Sequence, residues 1–86
     1  MTDSPSTKSG EIVAESGIHE KDGGNEYWKC FQRIETSSGN VRVRTAVYDK
    51  QGNGAHFSRE GDFNLPAKYM GSLIEDARSA GIFTPA

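Results

Sequence analysis

Hydrophobic and polar residues alternate through the middle of the chain, which is the pattern of a β-strand whose two faces differ. The segment Glu26–Glu35 (EYWKCFQRIE) alternates throughout and is rich in aromatic residues. The segment Val41–Lys50 (VRVRTAVYDK) alternates valines with cations. Because successive side chains of a strand point to opposite faces, the pattern predicts two amphipathic strands here.

Two weaker segments complete a predicted set of four strands. Glu11–His19 (EIVAESGIH) is predicted to be the first strand, with a bulge at Gly17. His56–Glu60 (HFSRE) is predicted to be a short fourth strand. Turn-forming residues separate the strands, in the segments EKDGGN, TSSGN and KQGNGA.

The pattern changes to a helical period after Asn64. Residues 64–83 (NLPAKYMGSLIEDARSAGIF) place Pro66 in the first turn, where its missing N–H costs nothing. Gly81 suits the position just after the helix, with Ile82 packing back on it. An apolar stripe recurs at helical spacing and is predicted to pack on the sheet, on a second copy of the chain, or on both: Tyr69, Met70, Leu73, Ile74 and Ala77.

This order predicts an α+β fold, a four-stranded antiparallel meander followed by one C-terminal helix (ββββα). Residues 11–83 are predicted to form the single domain, and the polar residues 1–10 a disordered tail. One helix covers one face of a sheet and leaves the other exposed. We expect the helix to cover Trp28, Ile34, Val41, Val43 and Val47. We expect the exposed face to combine cations with aromatic rings: Tyr27, Lys29, Phe31, Arg33, Arg42, Arg44, Tyr48 and Lys50.

The composition adds limits to this fold. The chain has 86 residues, of which 34% are hydrophobic, and a domain this small is marginal alone. One cysteine, Cys30, excludes an intramolecular disulfide, and with two histidines it is too little for a structural zinc site. We therefore predict no metal and no cofactor, and we expect a homodimer. No apolar run spans a bilayer and no secretory signal is visible, so a cytoplasmic protein is expected.

Charge is distributed unevenly along the chain. The net charge is −2, which argues against a generic nucleic-acid binder. Between Tyr27 and Arg59, however, six cations stand against two anions, a local net charge of +4. The local field near a surface matters more to a ligand than the sum over the chain.

A sheet face that combines cations with aromatic rings suits single-stranded nucleic acid. Phosphates attract Lys and Arg, and unstacked bases stack on aromatic rings. An ordinary solvated face is an alternative, because exposed strands often carry long charged side chains that cover apolar surface. A protein interface is another alternative, since Tyr and Arg are enriched there as well.

The region from Val41 to Ala80 resembles the transcriptional positive-cofactor family, homodimeric coactivators that bind single-stranded DNA. VRVRTAVYDKQGNG is similar to that family's basic third strand with its terminal aromatic, and SREGDFNLPAKYMGSLIEDA to its last strand and helix. The resemblance implies that Tyr48 stacks on a base, that Arg42 and Arg44 meet the backbone, and that the helices of two subunits pair. It also implies a binding role for Arg59, although Glu60 and Asp62 depart from the family's pattern.

No catalytic constellation is visible, and we predict that the chain is not an enzyme. His19 and His56 have no nucleophile at a recognisable spacing, and Cys30 is predicted to be a buried, inert thiol. We therefore expect binding of single-stranded DNA, or RNA, with little sequence preference, in transcription or in replication and repair. The alternative is a small protein-interaction module that binds no nucleic acid.

Overall fold

A computed structural model describes residues 6–7, 10–51, 54–61 and 63–85. They form one antiparallel sheet in the order β1-β2-β3-β4-β5 followed by one helix, α1. The elements are β1 Ser6–Thr7, β2 Gly10–Asp22, β3 Asn25–Glu35, β4 Val41–Gln51, β5 Gly54–Glu60 and α1 Ala67–Ser79. The predicted four-strand meander with a C-terminal helix is confirmed, as β2 to β5 and α1.

The N-terminal strands extend beyond the predicted bounds. The short β1 falls within the segment predicted as a tail, and it pairs with the start of β2 at Glu11 and Gly10. Residues 1–5 and 8–9 lie outside the described part of the chain. The predicted disorder of the tail therefore stays a prediction for those residues.

The connection between β3 and β4 is a tight hairpin loop. The amide of Thr36 donates to the carbonyl of Asn40 (2.9 Å), and the amide of Gly39 donates back to the carbonyl of Thr36 (3.0 Å). Gly39 has φ +88°, a conformation that a residue with a Cβ rarely adopts. This is the three-residue loop with a final left-handed glycine. It brings Glu35 opposite Val41 and sets the pairing of both strands.

Two β-bulges bend the strands on either side of this hairpin. The pairing of β2 with β3 shifts between Ile12 and Ala14, and that of β4 with β5 shifts between Val47 and Tyr48. The predicted bulge at Gly17 is wrong, because Gly17 pairs regularly with Cys30. The glycine instead leaves room for a neighbouring ring, since a Cβ there would lie 2.6 Å from the indole of Trp28.

The helix begins and ends close to the predicted positions. Pro66 precedes its first residue, and the amide of Met70 donates to the carbonyl of Pro66 (2.9 Å). At the other end the amide of Gly81 donates to the carbonyl of Arg78 (3.1 Å), and that of Ile82 to the carbonyl of Ala77 (3.0 Å). These two bonds are the Schellman arrangement, and the predicted helix stop is confirmed.

The sheet has two faces that differ in what covers them. On the helix face, Lys29 donates to the carbonyl of Asn64 just before α1, and Arg33 donates to the carbonyl of Gly81 just after it. The helix itself packs against β2. We call this the helix face, and it carries Tyr27, Lys29, Phe31, Arg33, Val43, Thr45 and Val47.

The opposite side, which we call the distal face, carries the other half of each strand. Residues paired directly across an antiparallel ladder have side chains on the same face. Trp28 pairs with Tyr48, and Gln32 with Arg44. The distal face of β3 and β4 therefore carries Trp28, Cys30, Gln32, Ile34, Arg42, Arg44, Ala46 and Tyr48.

This pairing corrects the predicted faces. Arg42 and Arg44 do not share a face with Lys29 and Arg33, because the hairpin loop pairs odd-numbered residues of β3 with odd-numbered residues of β4. The expectation that the helix covers Trp28 and Ile34 is wrong, because the segments flanking α1 bind Lys29 and Arg33 on the other face. Val41, Val43 and Val47 lie on the helix face, but Val43 is 41% exposed, so α1 does not cover it as predicted.

Within the described residues, no helix combines the length and the hydrophobicity that a membrane span requires.

Candidate nucleic-acid interface

Lys29, predicted to bind phosphate, is a buried structural cation. Its Nζ lies 2.5 Å from Glu20 Oε1 and donates to the backbone carbonyl of Asn64 at 2.9 Å. Only 9% of Lys29 is exposed, so its ammonium would have to leave both partners to meet a ligand. A buried charge is tolerated because it is paired and hydrogen-bonded in this way.

Arg33 has an equivalent role further along the same strand. Its Nη1 donates to the carbonyls of Gly81 and Ile82 at 3.2 Å each, and also to the carbonyl of Thr84. These carbonyls belong to the segment that follows α1. Arg33 therefore fixes the C-terminal segment to the sheet.

The aromatic residues predicted beside these cations are also on the helix face. Phe31 makes edge-on contacts with Phe63 (centroids 5.9 Å apart) and Phe83 (5.5 Å), which come from the segments before and after α1. Tyr27 is half-buried and pairs with Asp49. The ring of Phe31 therefore packs against the segments on both sides of α1 and is half-buried there.

The distal face carries a connected polar network. Oxygen Oε1 of Glu15 accepts from Trp28 Nε1 (3.1 Å), and Oε2 accepts from Gln32 Nε2 (2.6 Å). Gln32 Nε2 also donates to the hydroxyl of Tyr48 (2.9 Å), and Arg44 Nε donates to Gln32 Oε1 (2.6 Å). Among the described residues, no buried side-chain nitrogen or oxygen lacks a partner. A fully satisfied network of this kind gives the side chains defined positions.

Tyr48 is buried in this network, contrary to the expectation of an exposed stacking ring. Its exposed fraction is 1%, and its ring makes an edge contact with Phe57 at 5.4 Å. Burial raises the pKa of its hydroxyl above the ordinary value of 10.0. The ring stacks on a base only if its neighbours move aside.

Half-buried Arg44 and exposed Phe57 lie beside Tyr48. The guanidinium carbon of Arg44 lies 5.1 Å from the centroid of the Phe57 ring, within the range of a cation–π contact. Phe57 is 45% exposed, and Arg42, two residues before Arg44 on the same face, is exposed as well. The distal face thus presents two arginines and an accessible ring.

Trp28 extends this surface toward β2. Its ring lies 4.8 Å from that of His19, and His19 Nδ1 lies 3.4 Å from Glu26 Oε1. Trp28 is half-buried, so part of its ring remains accessible beside the network.

Two other predicted cations are described only through their backbones. Lys50 pairs with Ala55 and Arg59 with Val47, and the side chains of Lys50 and Arg59 lie outside the described part of the structure. Their predicted contacts with nucleic acid stay predictions.

The predicted helix stripe divides into two parts. Leu73 and Ala77 are fully buried, and Met70 and Ile74 are half-buried. Tyr69 is 48% exposed. The inner part of the stripe is core, and its outer part faces solvent in the isolated chain.

Cys30 is fully buried beneath the distal face, as predicted. Burial, and after it the Glu15 carboxylate, raise the pKa of the Cys30 thiol far above its ordinary value. Such a thiol is inert as a nucleophile near neutral pH. Among the described residues, no group of three or more His, Cys, Asp and Glu is placed to hold a metal ion.

Sequence reasoning missed four residues of the distal face: Glu15, Trp28, Gln32 and Phe57. Glu15 and Gln32 sit at ordinary strand positions, and only the pairing of β2 with β3 brings them together. Phe57 was within a predicted strand, and the bulge opposite Val47 and Tyr48 decides which face it joins. No family model, no curated protein and no solved structure matches this chain.

Proposed function

We propose that the distal face binds single-stranded nucleic acid, DNA or RNA. Arg42 and Arg44 would contact phosphates, and the exposed parts of Trp28 and Phe57 would stack on bases. The observation that carries the proposal is the strand pairing, which brings both arginines to the same face as these rings and away from α1. Lys29 and Arg33 on the helix face are less suited to this role, because Lys29 is buried against Glu20 and Asn64 and Arg33 holds the carbonyls of the C-terminal segment.

The chemistry of the face matches the two needs of a single strand. Stacking of a base on an aromatic side chain contributes roughly 1–3 kcal/mol by alanine substitution. Each phosphate that a protein neutralises adds about −0.7 to the slope of log affinity against log salt. A duplex is a poorer ligand, because α1 carries few cations to place in a major groove.

The proposal is tested by fluorescence anisotropy with a labelled oligothymidine over a range of salt concentrations. The variant Arg42→Ala/Arg44→Ala should lose most of the affinity, and the salt slope should fall by about 1.4, for two phosphate contacts. The matched control is Lys68→Ala/Arg78→Ala, which removes the same charge from exposed positions of α1. The control should bind as the unmodified protein does.

Either of two results would overturn the proposal: no binding at low salt, or equal losses in the two double variants. Arg44 also supports Gln32, so the unfolding of each variant must be measured in parallel. If Arg44→Ala is unstable, the single variant Arg42→Ala gives the same comparison at an exposed position, with a slope change of about 0.7.

A second candidate function is protein contact through the helix face, with a homodimer as its simplest form. Three large apolar side chains on that side are well exposed: Val43 (41%), Tyr69 (48%) and Phe83 (41%). Sedimentation at micromolar concentration should give a dimer mass, and Tyr69→Ser should shift the equilibrium to monomer. A monomeric mass for the unmodified protein would contradict the homodimer.

A further inference from the structure

The distal face holds a carboxylate, Glu15, on β2, separated from Arg44 on β4 by Gln32 on β3. One oxygen accepts from Trp28 Nε1 and the other from Gln32 Nε2, and Cys30 Sγ lies 3.7 Å from the second oxygen. A carboxylate has about four acceptor positions, so three neighbours leave capacity for a further donor. Glu15 is half-buried, which leaves this capacity in reach of a ligand on the face.

The charges of the distal face are arranged asymmetrically across the strands. Glu15 lies on β2, Lys21 of β2 stands opposite Glu26 of β3, and Arg42 and Arg44 lie on β4. Because Lys21 offsets Glu26, a phosphate is repelled mainly by Glu15 and attracted by the two arginines. A single strand on this face would therefore run its phosphates along β4 and point its bases toward β3 and β2, over Trp28 and Glu15.

We infer that Glu15 accepts a hydrogen bond from the amino group of a bound base and so gives the face a preference for cytosine over thymine. The inference rests on the proposed nucleic-acid function. Cytosine presents its N4 amino donor where thymine presents the O4 carbonyl, and a carboxylate accepts from the first and repels the second. The two bases have the same ring size and the same backbone charge, and thymine differs further by its C5 methyl group and its N3–H.

The test compares oligocytidine and oligothymidine of about ten nucleotides, a length in the range of single-strand sites. Anisotropy is measured at mildly alkaline pH, where cytosine is neutral. The unmodified protein should bind oligocytidine about two- to tenfold more tightly, the effect of one hydrogen bond. Glu15→Gln should abolish this ratio, and the matched control Glu35→Gln, an equal charge change at an exposed position of the helix face, should retain it.

The outcomes separate this inference from the proposed function. Binding to neither oligonucleotide overturns the proposed function, and equal binding to both overturns only the role of Glu15. Glu15→Gln could instead raise the affinities for both oligonucleotides equally and leave their ratio unchanged. That result would show that Glu15 only repels phosphate, and it would also overturn the inferred hydrogen bond to the base. If Glu15→Gln fails to fold, the test uses the unmodified protein and an oligonucleotide of N4,N4-dimethylcytosine, whose amino group has no hydrogen to donate. The protein should bind this oligonucleotide no better than oligothymidine.

Discussion

Arg33 and Arg44 have the same side chain on neighbouring strands, yet the structure gives them opposite surroundings. Arg33 donates to three carbonyls that follow the helix, and Arg44 lies over Phe57 and donates to Gln32. The guanidinium of Arg33 holds the C-terminal segment to the sheet, whereas that of Arg44 supports Gln32 and lies beside the exposed ring of Phe57 on the other face. The role of each arginine therefore depends on the face that it occupies.

Replacement of Arg33 by alanine should destabilise the protein strongly. The change removes the Arg33 donor from the carbonyls of Gly81 and Ile82, at an expected cost of about 1.5–3 kcal/mol, as for hydrogen bonds to charged groups. Urea unfolding measures the free energy directly. Arg42→Ala is the control on the exposed face and should change stability by less than about 0.5 kcal/mol. Equal effects of the two changes would contradict the assigned role of Arg33.

The buried thiol of Cys30 predicts a loss of stability at alkaline pH. Its pKa is raised in the folded protein, so above the ordinary value of 9.0 the unfolded chain releases a proton that the folded chain keeps. The free energy of unfolding should then fall as pH rises, by up to about 1.4 kcal/mol per pH unit. The hydroxyl of Tyr48 adds the same effect only above its ordinary value of 10.0.

The variant Cys30→Ala isolates this effect. The variant should be less stable at neutral pH, because packing is lost. Between pH 9.0 and pH 10.0, the ordinary pKa values of a cysteine and a tyrosine, its free energy of unfolding should fall less steeply than that of the unmodified protein. Unfolding curves in urea at several pH values give both slopes. Identical slopes for the variant and the unmodified protein would show that the thiol does not remain protonated in the fold.

At the scale of elements, the hairpin loop between β3 and β4 decides which residues share a face. Side chains alternate with a period of two, so a loop one residue longer or shorter would exchange the partners of a whole face. Gly39, in the left-handed conformation, ends this loop. The resulting register pairs Trp28 with Tyr48 rather than with Val47. The same strand sequences would form a different surface with a different loop.

The helix is held to the sheet by the inner part of its apolar stripe. Leu73 is 1% exposed, so Leu73→Ala should cost about 2–5 kcal/mol through lost burial and the cavity left behind. Its neighbour Ser72 is exposed, and Ser72→Ala should change the free energy by less than about 0.5 kcal/mol. Thermal or urea unfolding makes this comparison, and a small effect of Leu73→Ala would mean that the stripe does not pack.

At the scale of the whole molecule, the helix contacts one face of the sheet and the proposed ligand would contact the other. The helix face joins sheet, helix and C-terminal segment through Lys29, Phe31 and Arg33. The distal face buries its own side chains in a polar network and exposes Arg42 and Phe57. The ligand is therefore expected on the distal face, which also contains the buried cluster of Cys30, Ala46 and Tyr48, and the helix on the opposite side of the sheet.

A titration by nuclear magnetic resonance tests this division. With a short oligothymidine, the indole N–H signal of Trp28, the chain's one tryptophan, and the side-chain signal of Arg44 should shift. The side-chain signal of Arg33 and the amide of Phe83 should stay in place, because they lie on the other side of the sheet. Shifts confined to Arg33 and Phe83 would assign the ligand to the helix face.

The elements were predictable because their signals are local. Each strand or helix can be recognised from its own segment of sequence. This holds for the alternation in Glu26–Glu35 and Val41–Lys50 and for the helical spacing of Leu73 and Ala77. The helix stop at Gly81 and Ile82 was equally local. Which faces of β3 and β4 coincide could not be predicted locally, because a change of one residue in the length of the loop TSSGN would exchange them.

The sequence by itself determined where the strands, turns and helix lie, and which residues of each strand share a side. The tertiary structure alone decided which sides of neighbouring strands coincide, and so separated Arg42 and Arg44 from Lys29 and Arg33. The physical reason is that alternation is a property of one strand. A common face is a property of the pairing between strands, which the hairpin loop and the bulges set.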